Sequence, residues 1–214
     1  DFSGMEREYK IIVRDLFLAY INKEAYNHSL TYDEYQYLSY HKLDTVCDTL
    51  CIVKKDWDCD ILELVSSKRQ KIRKQNEYYK NELDKLLLCF KEKEMNYAIL
   101  KGWACLILLY SNITDRYFAD IDILVEEDKL SEFEKILLEQ GYRYGEEKNG
   151  VIIEPSRKRI LFQRCFTHEI YNMVKKVEDC YVNIDINFRF SWKGNEASII
   201  NKTGFNDIYK LIIP

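Results

Sequence analysis

The chain has 214 residues, of which 47% are hydrophobic and 14% aromatic, with only two prolines and seven glycines. This composition excludes a disordered or collagen-like protein and leaves room for one large domain or two small ones. The net charge of −4 argues against general nucleic-acid binding, and seven cysteines in no regular framework indicate the reduced thiols of a cytoplasmic protein. The longest strongly apolar run, residues 103–110, is far shorter than the ~20 residues of a membrane span, so no membrane association is expected.

The first ninety residues predict helices. Thr31 followed by Glu34 predicts a capping-box start for a second helix, and a third, long helix is predicted over residues 60–94. The basic middle of the long helix, residues 67–82, favours a solvated helix face over a nucleic-acid patch. The first two helices carry apolar residues at helical spacing: Tyr9, Ile12, Val13, Leu16, Phe17 and Tyr20 in the first, Tyr35, Leu38, Leu43, Val46 and Leu50 in the second.

Short strands and helices follow. Gly102 opens an apolar helix that reaches Tyr110, and a later helix from about Leu130 is closed by Gly141. Asn149-Gly150 predicts a turn between two strands. Strands are predicted over residues 96–100, 120–125, 142–147, 150–154, 159–173 and 181–190.

These elements predict an α+β fold, with a helical N-terminal region followed by a mixed β-sheet flanked by helices. The predicted boundary separates residues 1–95 from residues 96–214. Residues 1–4 precede Met5 and are expected to be a tag remnant, and the abrupt end at Pro214 leads us to expect that the native chain continues.

Three aspartates stand out on the predicted strands. Asp120 and Asp122 are two residues apart, so they project from one face while Ile121 and Ile123 face the packed side. Asp185 repeats the pattern on a later strand. Neighbouring carboxylates repel, and a hard cation such as Mg²⁺ relieves that repulsion. If the two strands are adjacent, the three carboxylates form the arrangement that a two-metal phosphoryl-transfer centre requires.

A second feature of the sequence, the pair Lys101-Gly102, is suited to binding phosphate. Lys101-Gly102 lies between a predicted strand and a helix, where glycine allows close approach and the helix N-terminus offers unpaired N–H groups. Lys101 and Arg116 would add positive charge. The alternatives are structural: a solvent-facing acidic edge strand for Asp120 and Asp122, and a surface ion pair for Arg116.

In this order, the segments "ILKGWACLILLY", "RYFADIDILV", "FEKILLEQGY" and "YVNIDINFRF" resemble the nucleotidyltransferase superfamily of the DNA polymerase beta kind. The resemblance is strongest to an uncharacterised bacterial group, nucleotidyltransferase family 5, and covers residues 97–190. It implies dependence on Mg²⁺ or Mn²⁺ and transfer of a nucleoside monophosphate from an NTP, with ATP expected, to an acceptor hydroxyl. The acceptor is left open among a small molecule, a protein side chain and an RNA end.

The resemblance also assigns residues. Asp120, Asp122 and Asp185 fall on the metal-binding and catalytic carboxylates, and Gly102 falls on the phosphate-binding glycine. The wider superfamily has Gly-Gly or Gly-Ser at the phosphate turn, whereas Trp103 follows Gly102 here. Two readings therefore stand: an active enzyme, or a catalytically silent relative that serves as a binding or regulatory module.

Overall fold

The computed structural model describes residues 2–50, 59–110 and 112–189. They form two compact units. The first contains the described residues up to Glu77 together with those of Cys105–Tyr117, and the second contains Tyr78–Ala104 and the described residues from Phe118 onward. The predicted boundary near residue 95 falls inside the second unit, and the domain assignment stays a prediction.

The first unit is helical. It contains α1 (Phe2–Asn22), α2 (Tyr32–Tyr40), α3 (Asp44–Thr49), and parts of α4 (Cys59–Glu92) and α5 (Lys101–Leu109). Most of the apolar residues predicted from helical spacing lie in its core or pack against it, which confirms the amphipathic pattern. The buried core consists of Ile12, Leu16, Tyr20, Leu30, Leu38, Leu43, Val46 and Cys47.

The predicted second helix is two helices, which is a correction. Lys42 has a φ of 60° just after α2, and this left-handed conformation ends a helix. The chain then turns and restarts as α3, which keeps Leu43 and Val46 in the core.

The capping box at Thr31 is confirmed. The Thr31 hydroxyl accepts a hydrogen bond from the Glu34 backbone N–H, and the Glu34 carboxylate accepts one from the Thr31 N–H.

We expect Thr31→Ala to lower the free energy of unfolding by about 1 kcal/mol, because a helix N–H loses its acceptor. Urea unfolding measures this, and Ser66→Ala, at an exposed position within α4, should change stability by less than about 0.5 kcal/mol. Equal effects of the two variants would contradict a role for the cap.

The second unit contains a five-stranded mixed sheet flanked by helices, which confirms the predicted α+β class. The strand order is β1 (Tyr97–Ile99), β2 (Ile121–Val125), β7 (Cys180–Asn187), β6 (Met173–Val177) and β3 (Arg143–Tyr144). The pair β2 and β7 is parallel, and the other pairs are antiparallel. A separate hairpin joins β4 (Glu146–Lys148) to β5 (Val151–Ile153) through the predicted Asn149-Gly150 turn.

Helices anchor this sheet through buried side chains. Phe90 of α4 lies 4.8 Å from Phe133 of α6 (Leu130–Glu139) and 5.4 Å from Tyr97 of β1, measured between ring centres. The buried Glu82 of α4 accepts a hydrogen bond from Lys175 of β6 at 2.6 Å. Apolar contacts and a paired charge thus hold α4 and α6 to the sheet.

The predicted strand over residues 159–173 is wrong over most of its length, because within that range only Met173 belongs to a strand, β6, and Glu169 forms an isolated bridge. Residues Arg157–Phe166 form α7, and Ser156 caps it by accepting a hydrogen bond from the Arg159 N–H. The Pro155-Ser156 start signal outweighs the short apolar run that favoured a strand. In the described part of the chain, no helix is long and apolar enough to cross a membrane.

Candidate functional site

Asp122 and Asp185 face each other across the parallel strands β2 and β7. In the register of this pair Asp122 lies opposite Asp185, Ile121 opposite Ile184, and Ile123 opposite Ile186. All four isoleucines are fully buried. The alternation of a strand therefore sends both aspartates to one face of the sheet while the isoleucines anchor the other.

Asp120 immediately precedes β2 and is exposed, whereas Asp122 is buried. Tyr79 of α4 helps to hold the backbone just before β2 in place, because its hydroxyl donates to the carbonyl oxygens of Ala119 at 2.7 Å and Tyr181 at 3.0 Å. The same hydroxyl accepts a hydrogen bond from the Asn183 N–H. The sequence pattern predicts only a packing role for Tyr79, which falls at seven-residue spacing with Val65, Ile72 and Leu86 on the long helix.

The start of α5 lies beside Asp122. The Leu100 N–H donates to the Asp122 carbonyl at 2.9 Å, and the Lys101 ammonium lies 2.5 Å from the Asp122 carboxylate. Lys101, predicted to bind phosphate, is therefore paired with a predicted metal ligand in this structure.

The pKa of one of these carboxyl groups, Asp185, is strongly raised. Burial, followed by the charges of Asp122, Glu169 and Asp120, raises the pKa of Asp185 to about 7, and Lys101 opposes this rise. The pKa of Lys101 is itself raised, chiefly by its hydrogen bond to Asp122. A crowded, partly desolvated set of carboxylates is typical of sites that bind cations or move protons.

Glu169 belongs to this group, although it is not among the residues predicted from the sequence. Its backbone forms an isolated bridge with Asn187, the last residue of β7, and its carboxylate accepts a hydrogen bond from Gln163 at 3.2 Å. The one signal was a carboxylate in a mixed stretch, between His168 and the apolar pair Ile170 and Tyr171. The mistaken strand over residues 159–173 gave no reason to bring Glu169 close to Asp185.

A cavity of about 420 Å³ opens beside Asp185. Five carboxylates and three carboxamides dominate its wall, so it suits hydroxyl and amino groups better than apolar ligands. The lining residues are Ala119, Asp120, Glu146, Glu147, Gln163, Glu169, Asn172, Asn183 and Asp185.

Over residues 2–50, 59–110 and 112–189, no group of three or more Asp, Glu, His or Cys side chains is arranged to hold a metal ion. The carboxylates are close enough to raise the pKa of Asp185, but Lys101 binds an oxygen of Asp122. The carboxylate oxygens of Asp120, Asp122 and Asp185 are nevertheless the type of ligand that Mg²⁺ and Mn²⁺ prefer.

Gly102 and Trp103 have clear packing roles. A Cβ atom at Gly102 would lie 3.0 Å from the Phe118 ring, so a larger residue would displace that ring. Trp103 is buried and its ring centre lies 4.9 Å from that of Phe118. The position where the wider superfamily has Ser is thus part of the core, and the phosphate-binding role of Gly102 stays a prediction.

Arg116 belongs to the helical unit. Its backbone carbonyl accepts a hydrogen bond from Asn76 at 2.6 Å, and its guanidinium lies 5.9 Å from the centre of the Tyr110 ring. These contacts give Arg116 a structural role, and its predicted contact with phosphate stays a prediction.

The comparison with protein families agrees with the sequence motifs. The model of a family described as an uncharacterised nucleotidyltransferase matches residues 39–207. The chain belongs to this family. The match starts well before residue 97, so family membership extends into the helical region that includes α3 and α4. No curated protein and no solved structure shows significant similarity to the chain.

Proposed function

We propose that this nucleotidyltransferase-family protein is a metal-dependent enzyme that moves a nucleoside monophosphate from an NTP, with ATP the expected donor, to an acceptor hydroxyl. The observation that carries the proposal is the register of β2 and β7, which sets Asp122 opposite Asp185 with Asp120 just before the strand. Carboxylates concentrated in this way, beside a cavity, are costly for stability and useful for phosphoryl transfer.

Asp120, Asp122 and Asp185 would hold Mg²⁺ or Mn²⁺. The ion would supply positive charge for the triphosphate and for the oxygen atoms that are attacked and released. Asp185, which lines the cavity, would also help to activate the acceptor hydroxyl.

Lys101 and Gly102 would bind the phosphates. Helix α5 starts at Lys101, beside Asp122, so its first N–H groups are available close to the carboxylates. The ammonium of Lys101 would add a charge-assisted hydrogen bond to a phosphate oxygen.

The acceptor would enter the cavity beside Asp185. The acidic wall of this cavity repels the negatively charged phosphodiester backbone of RNA, so a small molecule or a protein side chain suits it better than an RNA end. Carboxylates and carboxamides would hold the hydroxyl-bearing part of the acceptor by hydrogen bonds.

A silent binding or regulatory module is the alternative. It is favoured by Trp103, which fills the position of the phosphate-binding Ser with a buried ring, and by the pairing of Asp122 with Lys101. Such a module would bind nucleotide without releasing pyrophosphate.

The test is to titrate the protein with ATP, GTP, CTP and UTP, with and without Mg²⁺ or Mn²⁺, and to measure pyrophosphate release in the presence of cell extract as the acceptor source. The enzyme should bind at least one NTP in a metal-dependent way and release pyrophosphate, and Asp120→Ala/Asp122→Ala should abolish both. Asp128→Ala, at an exposed acid just after β2, is the matched control. Nucleotide binding that depends neither on metal nor on Asp120 and Asp122 would favour the silent module. If the protein binds no nucleotide at all, both hypotheses are contradicted.

A further inference from the structure

The pairing of Lys101 with Asp122 joins an exposed cation to a buried anion. The Asp122 side chain is 4% exposed, whereas the Lys101 side chain is 61% exposed. The lysine can therefore leave the pair for water or another partner at little cost in packing, but Asp122 cannot follow it. A carboxylate left buried without a positive partner is strongly disfavoured, so another cation or a proton would have to replace the ammonium.

The backbone of Lys101 is also unusual. Its φ is 49°, in the left-handed region that non-glycine residues seldom adopt. Other non-glycine residues with positive φ lie just after helices or in hairpin turns, where this conformation is common: Lys23, Lys42, Glu94, Asn149 and Glu178. Lys101 instead begins a helix. Backbone strain at such a position suggests a functional constraint on where its side chain lies.

The ammonium acts on the whole carboxylate group. Its nitrogen lies 2.5 Å from the Asp122 carboxylate, and Asp122 lies opposite Asp185 in the pairing of β2 with β7. Its positive charge thus partly offsets the repulsion that a divalent ion would otherwise relieve.

We infer that the Lys101 ammonium is a built-in counter-ion that occupies the Asp122 oxygen a divalent ion would use, so that Lys101 and the metal compete for Asp122. This rests on the proposed function, because it requires Asp122 to be a metal ligand. Lys101 is then a positioning residue that holds Asp122 in place before the metal arrives, and metal binding releases its ammonium toward the phosphates. Metal and nucleotide would therefore bind cooperatively: the metal frees the lysine, and the nucleotide retains it.

The experiment measures binding of Mn²⁺ alone, without nucleotide, from the free Mn²⁺ signal in electron paramagnetic resonance. Lys101→Met removes the charge at similar length, and we expect it to bind Mn²⁺ about tenfold more tightly than the wild type. Lys101→Arg keeps a competing cation and should stay near the wild type. Lys85→Met is the matched control, because Lys85 is similarly exposed (59%) and pairs with Glu82, a similarly buried carboxylate (2%). Circular dichroism checks that each variant is folded.

A second measurement distinguishes competition from a purely structural role. In the presence of saturating Mn²⁺, Lys101→Met should bind NTP more weakly than the wild type, opposite in sign to its effect on the metal. Mn²⁺ binding to folded Lys101→Met that equals or falls below that of the wild type would overturn the inference and leave the proposed function standing. Failure of the wild type and all variants to bind Mn²⁺, with or without nucleotide, would overturn both.

Discussion

Replacing Asp122 by asparagine is expected to reduce nucleotidyl transfer about a thousandfold, the scale seen when a preorganised charge that stabilises the transition state is lost. Asp122 is buried, faces Asp185 across the parallel strands and is paired with Lys101, so the substitution removes a charge without changing the shape of the strand. The measurement is the rate of pyrophosphate release with NTP, Mn²⁺ and cell extract.

The control for this prediction is Asp128→Asn, which changes an exposed acid close to the end of β2 and should leave the rate unchanged. Thermal unfolding of Asp122→Asn is measured in parallel, since loss of fold would also lower the rate. A folded Asp122→Asn protein that retains more than about a tenth of the activity would be inconsistent with Asp122 as a metal ligand.

Asp185→Asn is expected to alter how stability depends on pH in metal-free protein. Burial and then the charges of Asp122, Glu169 and Asp120 raise the pKa of Asp185 from 3.8 to about 7 in the folded state. The folded protein therefore retains a proton that the unfolded chain releases, and the free energy of unfolding falls as pH rises from about 4 to about 7. Asparagine has no proton to lose, so between pH 4 and pH 8 the variant should gain roughly 2–4 kcal/mol relative to the wild type.

Urea unfolding at a series of pH values, in the presence of a chelator, measures this difference. Asp128→Asn should parallel the wild type at every pH, because that acid is exposed. A constant stability difference between Asp185→Asn and the wild type from pH 4 to pH 8 would contradict the crowding of carboxylates around Asp185. Saturating Mn²⁺ should stabilise the wild type more at pH 8 than at pH 5, because the ion binds the deprotonated carboxylates.

The side of the sheet to which each strand residue points could be predicted from the sequence, because it depends only on the alternation of neighbouring residues. Asp122 and Asp185 each lie between two isoleucines and Asp120 precedes one, and these isoleucines are buried as expected. The order of segments also identified the family, which the match to residues 39–207 confirms. Periodicity and family resemblance thus supplied the fold class and the three candidate carboxylates.

The contacts around these carboxylates depend on long-range pairing, which local patterns do not contain. Nothing in the residues near Asp122 says that β7 is its parallel neighbour or that Asp185 lies directly opposite. Glu169 reaches the group only because Arg157–Phe166 is a helix rather than a strand. Lys101 was assigned to phosphate from its place before Gly102, and its pairing with Asp122 follows from the hydrogen bond that joins Leu100 to β2.

The most direct test of the account is a crystal structure of the protein with Mn²⁺ and a non-hydrolysable NTP, in which anomalous scattering locates the metal. We predict Mn²⁺ at about 2.0–2.3 Å from carboxylate oxygens of Asp120, Asp122 and Asp185, the triphosphate at the start of α5, and the Lys101 ammonium on a phosphate oxygen instead of Asp122. Nucleotide bound with its metal away from these three aspartates, or with Lys101 still on Asp122, would contradict it.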